Sequence, residues 1–428
     1  MLGDLLRLVR TEGPLQWELA VQLATSVAAG DDPDPVSDPL DRIRIEELVA
    51  IAELHVADVT GMVLAPGGHK IQVLPTTRVD WARRSLASWR PLLERLASAL
   101  ASTVAGSVGS EGAPGQLTGD IGPKASGTGE GAGSADSSTG PSGEASPGGP
   151  HGAELDDSFG LDDGFGALLG QWASAMAPAM AAMQVGSVVG HLARRTLGQY
   201  DLPLPRPGGE ILVVPSNMAK LSAEWSLAPD DLRLWVVVHE LAYHTVLGRA
   251  HVATRLEDLL VAHASLVRPD PRDLEGLLEH VDPSAIPGLA QLLGESPLAG
   301  DGPGPSAELE RVQEELSALV SVVAGFAEHV TSVVAGRLIG EHAPIGEAMR
   351  RRRLGRGEGE RVAESLFGLR LDQSDLDRGT AFTRGVLERS GEHELARLWI
   401  DGSYLPTPPE VDAPGLWLAR INLPERDG

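Results

Sequence analysis

Apolar residues recur along most of this chain at helical spacing. Trp17, Ala20, Val21 and Ala24 fall at i, i+3, i+4 and i+7, and Ile45, Leu48, Val49 and Ala52 repeat the pattern. Such spacing places each set on one face of an α-helix. A further helix is expected from about Arg78, carrying Trp81 and Trp89 towards Leu100. Later in the chain, Asp230 to Leu247 (preceded by Pro229) and the long amphipathic run Ser306 to Ala335 read the same way. Two short stretches have strand character: Lys70 to Leu74 and, more strongly, Gly209 to Pro215, where branched residues are bounded by breakers. The pattern predicts a mainly α protein, α+β only through minor strands.

Periodicity fails from Gly106 to Pro150, where Gly, Ser, Ala, Thr and Pro dominate and Lys124 is the one positive charge. A stretch with so little apolar content cannot offset the entropy of ordering itself. An acidic approach follows, with Glu154, Asp156, Asp157, Asp162 and Asp163. The expected organisation is a helical region over 1–105, a disordered Gly/Ser-rich linker with an acidic end over 106–163, and a second helical region over 164–428. The two helical regions are expected to pack as one fold. Gly164 to Ala193 carries no Asp, Glu, Lys or Arg, and places Gly186 and Gly190 at the spacing of close-packed membrane helices. It is built largely from Ala, Gly, Ser and Met, however, and holds Gln171, Pro178, Gln184 and His191. A buried helix of a soluble protein is the expectation, since a membrane span needs about 20 mostly apolar residues.

Composition sharpens the functional question. Against 35 Lys+Arg stand 60 Asp+Glu, a formal net charge of −25 over 428 residues. Nucleic acid and anionic membrane surfaces are therefore not expected partners. There are no cysteines, so thiolate metal sites and cysteine nucleophiles are excluded. The first residues lack the features of a secretory signal, and a cytoplasmic location is expected. No phosphate-binding glycine loop and no Gly-x-Ser-x-Gly elbow is present. Arg351, Arg352, Arg353 and Arg356 are expected to be solvated surface. His263, His280, His342 and His393 have no ligand-spaced neighbours and are expected there too.

One segment has catalytic content: His239-Glu240-Leu-Ala-Tyr243-His244. In the zinc-protease helix, two histidines four residues apart bind the metal, and the glutamate after the first activates a water. Here the residue at i+4 is Tyr243, and His244 lies at i+5. At about 100° per residue, i+4 turns a side chain about 40° from the first, and i+5 about 140°. His239 and His244 meet one metal only if a π-bulge shifts the register. Alternatively, Glu240, His244 and His251 share a face if the helix continues through Gly248. Glu328 and His329, adjacent on the long helix, are further candidates for reaching a metal. Satisfied polar histidines on a helix face remain the simpler reading of these residues.

Several segments together resemble a mainly actinobacterial family of zinc-dependent metalloproteases, or zincin-like hydrolases, one branch of which is associated with deazaflavin-cofactor biosynthesis. They include Gly13-Pro14-Leu-Gln-Trp17, Glu46 to Glu53, Thr77-Arg78-Val-Asp-Trp81, Gly198-Gln-Tyr200-Asp201-Leu-Pro203, Val214-Pro215-Ser-Asn217, Phe382 to Val386 and Trp417-Leu-Ala-Arg420. The resemblance implies a zincin-like helical domain with a small sheet, His239 as first zinc ligand and Glu240 as general base. It also places Tyr243 where the second ligand belongs, and Ala324-Gly325 where the family carries an acidic residue before a glycine. The expected function is that of a zincin-like protein with a degenerate or non-standard metal site, acting as a binding or scaffold module for a protein or peptide. The alternative is an active zinc hydrolase using Glu240.

Overall fold

The computed structural model describes residues 13–30, 39–64, 71–109, 161–267, 306–355, 363, 367–369 and 372–423. Helices dominate. In chain order they begin with α1 (Trp17–Ala29) and α2 (Pro39–Thr60), followed by strand β1 (Gln72–Pro75), α3 (Arg78–Gly109) and α4 (Leu161–Ala193). Strand β2 (Glu210–Val213) then leads into α5 (Pro215–Trp225), α6 (Pro229–Leu247) and α7 (Ala250–Leu266). The remaining helices are α8 (Ala307–Leu338), α9 (Ala343–Leu354), α10 (Gln373–Ala396), α11 (Pro408–Asp412) and α12 (Pro414–Ile421). The two strands pair in parallel, Gln72 opposite Glu210 and Pro75 opposite Val213. This is a mainly helical fold with a small two-stranded sheet.

Described helices reach into both ends of the span expected to be linker. Residues 106–109 close α3 and 161–163 open α4. The rest of the linker expectation, 110–160, lies outside the described residues.

Glycine spacing explains how α4 is used. α1 lies along it so closely that a Cβ at Gly186 would stand 2.6 Å from the Ala20 carbonyl oxygen, and one at Gly190 would stand 2.6 Å from Val27 Cβ. The Gly186 and Gly190 face of α4 thus seats α1. Among the described helices, α8 is the one long and apolar enough to cross a membrane, and 78% of its apolar window is buried within the protein. α8 packs against α2, α6, α7 and α10. Where it crosses α10, Gly325 and Gly379 meet backbone to backbone, and a Cβ on either would collide with the other helix.

α6 is the most enclosed element. Every residue from Trp235 to Leu247 is buried, which accounts for the run Val236-Val237-Val238, apolar on all sides rather than on one stripe. The helix stops at Gly248. Arg249 is extended (φ −76°, ψ 124°), and its guanidinium holds the break by donating to the Thr245 and Val63 carbonyls at 3.2 and 2.9 Å. The continuation through Gly248 that would put Glu240, His244 and His251 on one face is therefore not found, and His251 lies in the first turn of a new helix.

Candidate functional site

α6 is α-helical without interruption through His239, Glu240, Tyr243 and His244. The π-bulge that would bring His239 and His244 together is absent from it. His239 and Tyr243 instead face one cavity of about 120 Å³, shared with Ser321 and Ala324 of α8, Asp201, and Arg352 of α9. His244 faces a different cavity.

His239 is held in an aromatic row. Its ring stacks on Trp235 (centroids 5.0 Å apart, 20° between planes) and leans on Tyr243 at 4.8 Å, and Tyr243 lies parallel to Tyr200 at 6.0 Å. Burial pushes both phenols well above their ordinary pKa, so both are protonated at neutral pH.

Glu240 is 1% exposed and does not line the cavity. Its Oε2 accepts the amide hydrogens of Gln199 and Tyr200 at 2.8 and 2.9 Å, while Oε1 stands 3.6 Å from His239 Nδ1. Burial raises its pKa, against the opposing pull of His239. Gly198 is needed here, because any Cβ would strike the Glu240 carboxylate. The carboxylate thus ties α6 to the 196–201 segment.

That segment is fixed from several sides. The Trp81 indole donates to the Gly198 carbonyl at 3.2 Å. The Asn217 amide donates to the Ala193 and Thr196 carbonyls, and itself accepts from Arg78 Nε at 2.8 Å. Asp201 Oδ2 accepts from the Leu197 amide at 2.7 Å and from Arg352 at 2.8 Å. Burial works to raise the Asp201 carboxyl, but the charge and hydrogen bond of Arg352 outweigh it and hold the pKa below its ordinary value.

Arg352 and Arg353 are therefore not the solvated surface expected of the basic run. Arg352 is paired with Asp201, Arg353 stands 3.6 Å from Glu328, and both line the cavity. α9 turns that side inward, and its outer face carries Arg350 and Arg351 on Glu347. Their signal in the sequence was the helical register itself, masked by four identical charges in a row. Tyr200 and Asp201 stood in a segment that the family resemblance picks out, yet nothing in their spacing marks a cavity.

The other candidates are scattered. His244 Nδ1 is 2.9 Å from the Tyr200 hydroxyl, and burial pushes its pKa down to about 4. With that hydroxyl protonated and donating, the imidazole accepts through Nδ1. His251 is half-buried beside Gly402, and Glu240, His244 and His251 do not converge. Glu328 is engaged by Arg353, and the half-buried His329 feels the charge of Glu392. His263, expected at the surface, is buried beneath Gly368 with Gln313 Nε2 3.3 Å from its Nε2. His280 lies outside the described residues.

The fit to zinc can be judged from this donor set. Among the described residues no three His, Asp or Glu side chains are grouped to hold a metal ion. At the two positions beside His239 the cavity offers Tyr243, a phenol whose raised pKa keeps it neutral, and Ala324, which has no donor. Of the carboxylates that also line it, Asp201 is paired with Arg352, Asp372 caps α10 and Asp375 accepts from Ser317, and none is grouped with His239 in a set of three. A zinc centre draws at least three protein donors, and these residues do not supply them.

Fold and site define a mainly helical protein built around a buried His-Glu helix whose first turn after the histidine faces a small, largely apolar cavity. The sequence profile of the zincin-like metallopeptidases matches residues 15–418. The chain belongs to that family. No curated protein matches it significantly. A solved structure from Chloroflexus aurantiacus, described as a candidate hydrolase with a novel fold, has a TM-score of 0.54 to this chain at 20% identity. The match covers 96% of this chain and 99% of that one; at this identity the likeness is one of fold.

Proposed function

We propose that this protein is a zincin-fold relative with a degenerate metal site, non-catalytic, and acting as a binding or scaffold module for a protein or peptide. The observation that carries the reading is the shared cavity of His239, Tyr243 and Ala324. The resemblance puts two ligands and an acidic residue at these three positions; here one donor remains. Glu240 supports the same reading, since its carboxylate is spent on two backbone amides behind the cavity wall. The family itself favours the second reading, a zinc hydrolase with Glu240 as base. In that case a general base must reach a bound water directly or through one intervening water.

Zinc content of protein purified without a histidine tag separates the two, read together with cleavage of an unstructured protein such as casein. The expected result is well under one zinc per chain and no turnover. Stoichiometric zinc lost on His239→Ala, with casein cleavage abolished by Glu240→Gln, would overturn the proposal.

A further inference from the structure

The face of α6 turned about 140° from His239 carries a second cavity, larger at about 460 Å³ and sharing no lining residue with the first. Its walls include Trp89 and Leu92 of α3, Arg206 between α4 and β2, and His244 and Leu247 of α6.

Arg206 is the anomaly. It is 8% exposed, and its guanidinium lies over the rings of Trp89 at 4.3 Å and Trp81 at 5.7 Å. One nitrogen donates to Ser85 Oγ at 2.8 Å. It forms no ion pair among the described residues, and its buried Nε has no acceptor. Buried arginines normally sit opposite a carboxylate or phosphate, because an uncompensated buried charge is costly. Trp89 adds a second buried donor with no acceptor, its Nε1. The one acid lining this cavity, Glu257, is half-exposed and held by Arg95 at 3.0 Å. The buried Glu240 carboxylate feels the Arg206 charge from outside this cavity, but no carboxylate on the cavity wall is hydrogen-bonded or ion-paired to the guanidinium.

The cavity also says what kind of anion. It is too large for a lone ion, and Trp89, Leu92, Leu247, Pro91 and Pro205 give it an apolar lining. A chain of net charge −25 repels multiply charged anions more than singly charged ones. A guanidinium edge matches the two oxygens of a carboxylate. We infer that this cavity binds a small organic monocarboxylate, its carboxylate on Arg206 and its apolar body against Trp89, Leu92 and Leu247.

Titration calorimetry on the full chain, with tryptophan fluorescence as a second readout, tests this directly. The probes are phenylacetate and hexanoate, their neutral counterparts phenylacetamide and hexanamide, and inorganic phosphate. At least one carboxylate is expected to bind saturably, with its amide weaker by about tenfold or more. Arg206→Lys, which keeps the charge and removes the fork, should weaken the carboxylate by a similar factor. Ala253→Trp, at a half-exposed position on the wall, should block the cavity without touching Arg206; circular dichroism checks that each variant is folded. The inference is overturned if neither carboxylate binds up to about 10 mM, or if the amide binds as well as the acid. Binding that survives Ala253→Trp overturns it as well, and so does phosphate binding in preference to both carboxylates.

Discussion

Acid should destabilise this protein through His244, and the size of the effect follows from its surroundings. The imidazole is 4% exposed, accepts from the Tyr200 hydroxyl, and has its pKa pushed by burial from 6.5 to about 4. In the unfolded chain the same group protonates near 6.5, so below that pH the unfolded state binds the extra proton. The stabilisation from keeping His244 neutral is complete above about pH 6.5 and is lost progressively as pH falls to about 4. The gap between those two values corresponds to about 3 kcal/mol. The comparison is wild type against His244→Gln, which can still meet the Tyr200 hydroxyl but does not titrate. Urea unfolding of both at several values between pH 7.5 and 4 gives two stability curves. The variant is expected to start lower and to lose less, so that the difference between them shrinks by about 3 kcal/mol over the range. His251, His263 and His329, also lowered by burial, and Glu240, which is raised, contribute to both curves and cancel in the difference. Parallel curves would refute the reasoning.

Glu240→Ala removes the acceptor of two buried amides and is expected to cost about 2–4 kcal/mol in urea unfolding; an unchanged midpoint would mean the tie to Gln199 and Tyr200 is not structural. Gly190→Ala sets two effects against each other. Helix propensity alone favours it by about 1 kcal/mol, whereas the collision with Val27 predicts a loss of about 1–3 kcal/mol, and the sign of the change in melting temperature decides. Tyr243→His combined with Ala324→Asp should raise zinc retention above that of the wild type. Its stability should then rise with free zinc, by about 2.7 kcal/mol at a hundred times Kd. No metal in either the single or the double variant would show that these positions are not one lost centre.

Helix periodicity located α6 and α8 to within a few residues, the breaker-bounded branched run Gly209 to Pro215 contains β2, and the short stretch Lys70 to Leu74 overlaps β1. Strong local patterns of this kind survive folding because the buried face is written at a fixed spacing. What escaped was set by tertiary contacts. The α6–α7 break depends on Arg249 reaching the Val63 carbonyl, a contact across 186 residues, while the apolar spacing continues past it. Arg352 and Arg353 read as solvated because four arginines in a row hide which two the helix turns inward. His263 read as surface because the glycine that lets it bury, Gly368, is far away in sequence. In the candidate site, the divergence of His239 and His244 followed from angle arithmetic alone. The cavity joining His239 and Tyr243 to Ala324 depended on how α8 crosses α6, which no local pattern encodes.

The parallel pairing of β1 with β2 bears on how the chain reaches its fold. Gln72 waits for Glu210, 138 residues later, and α1 waits still longer for the glycines of α4. At a synthesis rate of 5–20 residues per second, the N-terminal elements spend about 7–28 s without the surfaces that cover them. Sheet and helix stack must therefore assemble late, once most of the chain has been made. Folding in the cell is in that sense closer to a single closing event than to a stepwise build from one end.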